Sequence, residues 1–162
     1  MRQILGWREY MWGTYWLRRE RWPQENALSA MMVLGNVMLL AGVKPWQAVR
    51  WFQGAFLDGA EWVMAPNAAG MALYADDGQM TTKPYAAGGN YINRMSTYCR
   101  GCRYDPHART GENACPLTAL YWDFVDRHRE RFVGHARMRL ALRGLARIDD
   151  RELQKIRARA RR

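Results

Sequence analysis

A chain of 162 residues suits one domain, and at that size roughly 70% of the unfolded surface can be buried, enough for a core. Apolar residues at 49%, with eight Trp and eight Tyr, exclude a disordered chain and point to an aromatic core or a ring-binding site. The net charge of +10 is concentrated: residues 127–162 hold 13 Lys/Arg against 4 Asp/Glu, and the rest is near neutral.

No secretory signal is visible at the N-terminus, where charges interrupt the apolar stretch and no small-residue cleavage site follows. Residues 4–19 read as a first helix. Ile4, Trp7, Met11, Tyr15 and Arg18 line one side, with Trp12 and Trp16 beside them. Pro23 follows that helix. Asn26 is a candidate N-cap for a second helix running to about Ala41. Residues 27–43 are uncharged, but the run is short for a membrane span and holds Ser29, Asn36 and two Gly. It is expected to be a central, buried helix that Gly42 ends, and no membrane contact is expected. Pro45 suits the first position of a third helix. Trp46, Val49, Phe52, Phe56 and Ala60 fall on one side of it. Trp51, Ala55, Asp58 and Trp62 fall on another.

Residues 66–90 are rich in Gly, Pro, Asn and Asp and read as a long loop, ordered through Tyr74, Met80 and Tyr85. Residues 91–98 look like a short helix. Pro116 opens another over 116–132, and Asp149 with Glu152 forms a capping box for a last helix over 151–161. No strand pattern with a period of two persists. The expected fold is all-α, a single helical domain over 1–162 whose residues 133–162 form a basic helical tail. That tail reads either as an anion-binding surface, nucleic acid first, or as a solvated amphipathic helix.

All three cysteines fall within 17 residues. Cys99 and Cys102 form a CxxC whose turn Gly101 eases, and Cys115 directly precedes Pro116. Such spacing suits a metal or an iron–sulfur cluster. Three sulfurs complete neither a zinc site nor a 4Fe–4S cluster, so a fourth ligand must come from His107, water or another chain. The other reading is three reduced thiols in a small hydrophobic knot, in a reducing, cytoplasmic compartment.

The run KPYAAGGNYINRMSTYCRGCRYDPHARTGENACPLTALYWDF, residues 83–124, resembles the C-terminal signature of the bacterial iron–sulfur photolyases and cryptochromes. WFQGAFLDGAEWVMAPNAAGMALYADDG, residues 51–78, resembles the stretch before it, and ILGWREYMWGTYWL, residues 4–17, the opening of their flavin-binding helical region. The resemblance implies an all-helical domain that binds FAD and a 4Fe–4S cluster. It also implies light-driven electron transfer from the flavin to a lesion flipped out of DNA. By matching, Cys99, Cys102 and Cys115 would be three of the four cluster ligands. Trp51 and Tyr91 would match aromatics that feed electrons to the flavin, and Asp58 and Asn67 would lie in the segment that lines it. Read without the resemblance, Trp51 and Tyr91 are core aromatics, Asp58 a surface acid and Asn67 a turn residue.

The sequence departs from that family in three respects. The antenna domain is not represented. The chain is shortened near Ala30 and Met31, where the family carries the fourth cysteine, a further tryptophan and a histidine pair at the lesion. EWVMAPN stands where the family tends to have EWVELPN, so Met64 replaces a carboxylate near the flavin. The expectation is a photolyase-related protein that binds DNA through its basic end and does not repair lesions as this lone chain. A partner chain could supply the missing helices. The alternatives are a non-catalytic DNA- or protein-binding remnant and a small three-cysteine metal-binding protein.

Overall fold

The structure is a computed structural model that describes residues 31–56 and 60–161. The expected first helix, Pro23, the Asn26 cap and Asp58 lie outside the described residues. A π-helical turn, Met31–Gly35, leads into α1 (Asn36–Ala41). Gly42 ends α1 in the left-handed region at φ 70°, and its N–H returns to the Leu39 carbonyl at 3.1 Å. Pro45 opens α2 (Pro45–Ala55) as expected, because its missing N–H is no loss in a first turn.

The third helix is shorter than its sequence pattern suggests. It ends at Ala55, Phe56 is extended, and a new helix, α3 (Glu61–Ala65), begins after Ala60. Ala48 and Phe52 are its buried residues, while Trp46 and Trp62 are 55% and 83% exposed. Pro66–Ala72, expected as loop, continues α3 as a π-helical segment and buries Ala68, Gly70 and Ala72. The remaining loop is ordered, although Met80 and Tyr85 stand exposed. Its buried points are Thr81 and Pro84, and Tyr74 reaches His135 with a 3.0 Å hydrogen bond.

Five further helices and one short turn complete the described chain. The helix expected over 91–98 is α4 (Gly89–Met95). The one expected over 116–132 divides at His128 into α5 (Pro116–Arg127) and α6 (Arg129–Phe132), and the break lets the Phe132 ring pack 5.9 Å from Phe124. A 3₁₀ turn, Ala136–Met138, precedes α7 (Arg139–Leu145). The last helix, α8 (Asp150–Ala160), starts at Asp149, whose carboxylate accepts the Glu152 N–H at 2.7 Å. No strand occurs among the described residues, and none of their helices is long and apolar enough to cross a membrane.

Two apolar clusters hold these elements. One joins Met31, Met38, Ala48, Phe52, Met64 and Leu73. The other joins Leu39, Leu40, Phe124, Val125, Leu145, Leu153 and Ile156. Helix α1 serves both, which is why its sequence is apolar nearly all round. Its one buried polar side chain, Asn36, is paired at both ends of its amide. The amide donates to the Ala87 carbonyl and accepts the Ala87 N–H, both at 2.9 Å, and so pins the long loop to α1.

Candidate functional site

The cysteine loop begins where α4 ends. Ser96 Oγ donates back to the Ile92 carbonyl at 2.7 Å, and the chain turns through Cys99 and Cys102 with the Cys102 N–H on the Cys99 carbonyl at 3.2 Å. Gly101 makes that turn at φ 86°, a conformation that a side chain would strain. Residues 105–114 close on themselves. Asp105 N–H meets the Asn113 carbonyl at 2.7 Å, and Cys115 N–H meets the Asp105 carbonyl at 3.1 Å. Thr118 locks the base: its hydroxyl donates to the Pro106 carbonyl at 2.9 Å and accepts the Gly89 N–H at 3.1 Å. Gly89 lies so close that a Cβ there would stand 2.7 Å from Cys115 Sγ.

The three thiols occupy one electrostatic neighbourhood. Partial burial raises the Cys99 pKa, and the sulfurs of Cys115 and Cys102 push it the same way. A thiolate at Cys99 is therefore disfavoured unless a cation joins the group. The three cysteines are free, with Cys102 exposed and the other two half-buried. Among the described residues, no three Cys, His, Asp or Glu side chains form a group that could hold a metal ion. His107 is exposed, and its backbone N–H bonds Asp105 at 2.8 Å. As a ligand set for a 4Fe–4S cluster or a structural zinc the loop is incomplete, because each takes four ligands.

The last helix grips this loop. Arg159 donates to the carbonyls of Glu112 at 3.1 Å and of Ala114 at 2.5 Å, next to Cys115. Its guanidinium lies 5.7 Å from the Tyr104 ring, which Arg103 also covers at 4.6 Å. Arg109 pairs with Glu152 at 3.6 Å and lies 5.3 Å from the Trp122 ring. Nothing in the spacing of the cysteines or the arginines announces this grip, because the partners are backbone carbonyls far away in sequence.

The flavin candidates are spread through the fold. Trp51 is half-buried on α2, edge-on to Phe52 at 5.1 Å and to Phe56 at 6.3 Å. Asn67 lies in the π-helical segment that packs on α2, and its amide donates to the Val63 carbonyl at 2.8 Å. Tyr91 stands on α4, 42% exposed, just before the cysteine loop. Met64 is only 1% exposed and belongs to the first apolar cluster. A cleft of about 430 Å³ lies beneath α8, where Asp123, Asp126 and Glu130 face Arg127, Arg129 and Arg157. A flavin ring needs a mostly apolar slot, and this charged cleft does not fit one.

Asp126 organises that cleft. Its side chain is 7% exposed and binds Arg129 at 2.7 Å and Arg157 at 2.5 Å. Beside it, Arg127 spans Asp123 at 2.7 Å and the Leu40 carbonyl at 2.8 Å. His128, between Phe124 and Phe132, has its pKa lowered by burial and then by Arg127 and Arg131, against a smaller opposite pull from Asp123.

No family model matches the chain. A (6-4) photolyase from Agrobacterium fabrum is 40% identical over 99% of this chain, and the chain spans 39% of that relative's length. The aligned stretch of 196 residues is longer than this 162-residue chain, so the relative carries residues there that this chain lacks. An uncharacterized protein of Acanthamoeba polyphaga mimivirus is 30% identical over 68% of this chain and 82% of its own length. The match over 99% of this chain, on a framework whose regular elements among the described residues are all helices, places this chain in the photolyase/cryptochrome family.

Proposed function

We propose that this chain is a nucleic-acid-binding helical domain of the photolyase/cryptochrome family that does not by itself carry out light-driven repair. The observation that carries the binding reading is the basic end of the chain, with 13 Lys/Arg against 4 Asp/Glu over residues 127–162. Phosphate backbones bind such surfaces through counterion release. A reducing cytoplasm, where DNA and free thiols coexist, is the compartment this reading requires.

Two features argue against repair by the lone chain. Repair needs a flavin held beside the lesion. At the position where the resemblance implies a carboxylate near that ring, Met64 is buried in apolar core. A charged group could not replace it there without a large desolvation cost. The cysteine loop also presents three thiols where a 4Fe–4S cluster takes four ligands.

A second reading concerns cofactors and rests on the thiols acting on one another. In it, Cys99, Cys102 and Cys115 hold three corners of a cluster and a partner chain supplies the fourth. Trp51, Asp58, Asn67 and Tyr91 are then the residues nearest a bound FAD.

Anaerobically purified chain, assayed by fluorescence anisotropy against a labelled duplex over a range of salt, tests the main reading. Binding that weakens steeply with salt is expected, with no reversal of a lesion-bearing oligonucleotide under blue light. Lesion reversal would overturn it. Iron, sulfide and flavin measured on the same sample test the second reading.

A further inference from the structure

The thirteen cations at the basic end are not equivalent. Arg127 is held by Asp123 and the Leu40 carbonyl, Arg129 and Arg157 by Asp126, Arg131 by Asp77, and Arg159 by the carbonyls of Glu112 and Ala114. Turning any of these to a phosphate would break a tie within or between α1, α5, α6, α8, the cysteine loop and the loop that carries Asp77.

A second set faces away from the core. Arg137, Arg139, Arg143, Arg147, Arg151 and Lys155 are all exposed. None has a carboxylate partner among the described residues. Only Arg139 makes an internal bond, a 3.3 Å contact from Nε to the Ala136 carbonyl, which leaves its terminal N–H groups available. The spacing is helical. Arg139 and Arg143 lie four apart on α7 and share one side, and Arg147 follows in the turn after the helix. The opposite side carries the buried Met138 and Leu145 and the half-buried Ala141 and Leu142. On α8, Arg151 and Lys155 again lie four apart, opposite the buried Leu153 and Ile156.

We infer that Arg137, Arg139, Arg143, Arg147, Arg151 and Lys155 form the phosphate-contacting surface, and that the tied arginines are structural. This deepens the nucleic-acid reading above and rests on it. The occupant follows from charge: six exposed cations that form no ion pair among the described residues suit a polyanion whose charges recur along its length. The tied set is already engaged, Arg127, Arg129, Arg131 and Arg157 by carboxylates and Arg159 by backbone carbonyls.

Two variants of the full chain separate the sets. One carries Arg143→Gln, Arg147→Gln, Arg151→Gln and Lys155→Gln; the other carries Arg129→Gln and Arg157→Gln. Binding to a labelled duplex is read as the slope of log K against log salt, and folding as the thermal midpoint by circular dichroism. The first variant should keep the parent midpoint and flatten the slope by about 3–4 units, since each lost phosphate contact removes about 0.9. The second should melt earlier and keep the parent slope at a temperature where it is still folded. An unchanged slope in the first variant, or a flattened one in the folded second, overturns the assignment alone. No binding by the parent chain overturns the nucleic-acid reading itself.

Discussion

Replacing Asn36 by Ala should cost more than its single polar side chain suggests. The residue is 4% exposed, and its amide makes both hydrogen bonds to Ala87, each at 2.9 Å. Truncation leaves the Ala87 N–H and C=O without these partners. An unpaired buried group costs about 1–3 kcal/mol. Ala87 is half-buried, so water can partly repair both, and the low end applies to each. The expected loss is about 2–3 kcal/mol, which corresponds to roughly 4–12 °C in midpoint for a chain of this size. Urea and thermal unfolding measure it, and hydrogen exchange at Ala87 and Gly88 reports whether the loop has come loose. Asn36→Asp adds a control, since a carboxylate still accepts the Ala87 N–H but cannot donate to its carbonyl. A loss under about 0.5 kcal/mol, the scatter of ordinary surface substitutions, would refute the idea that this amide holds the loop.

Three other perturbations follow from the same geometry. Gly89→Ala would set a Cβ 2.7 Å from Cys115 Sγ and 2.9 Å from Thr118 Oγ1; overpacking of this kind costs about 1–3 kcal/mol, and mass spectrometry should find Cys115 alkylated faster. Arg159→Ala removes the ties to the Glu112 and Ala114 carbonyls. It should cost about 1–2 kcal/mol, because the Nε left buried without a partner offsets part of the gain. Faster alkylation of Cys115 with partial rescue by Arg159→Lys is the signature of loop positioning. The lowered pKa of His128 means that the folded chain takes up its proton later than the unfolded chain. Stability is therefore complete above the ordinary histidine range and falls as pH drops from about 6.5 through the depressed value. His128→Phe should lessen that fall in denaturation midpoints measured between about pH 7 and pH 5.

Local signals in the sequence located the helix ends well. Gly42, Pro45, Pro116 and Asp149 each act through their own backbone or the next turn, so the residue alone carries the information. The errors are all cases where distant packing decides. The helix after Pro45 stops at Ala55 although its apolar pattern continues, and the Pro- and Gly-rich stretch after Ala65 stays helical because Ala68, Gly70 and Ala72 are small enough to be buried there. The cysteine loop was legible from CxxC and Cys-Pro, and Gly101 turns as the spacing requires. Its supports were not, since Asn36, Arg159 and Thr118 all bind backbone groups that have no sequence signature. Asn36 read only as an interruption in an apolar run, yet it fixes the strand of chain that presents Gly89 to Cys115.

Helix α1 sets a demand on the side chains that surround it. Helix α1 contributes Leu39 and Leu40 to one cluster and Met38 to the other, so it must be apolar on every side. One of these clusters meets it with methionine. Met31, Met38 and Met64 are 3%, 5% and 1% exposed, and unbranched thioether side chains adapt to gaps that Leu or Ile cannot. Met64 thus has a physical role in this chain that a carboxylate could not perform.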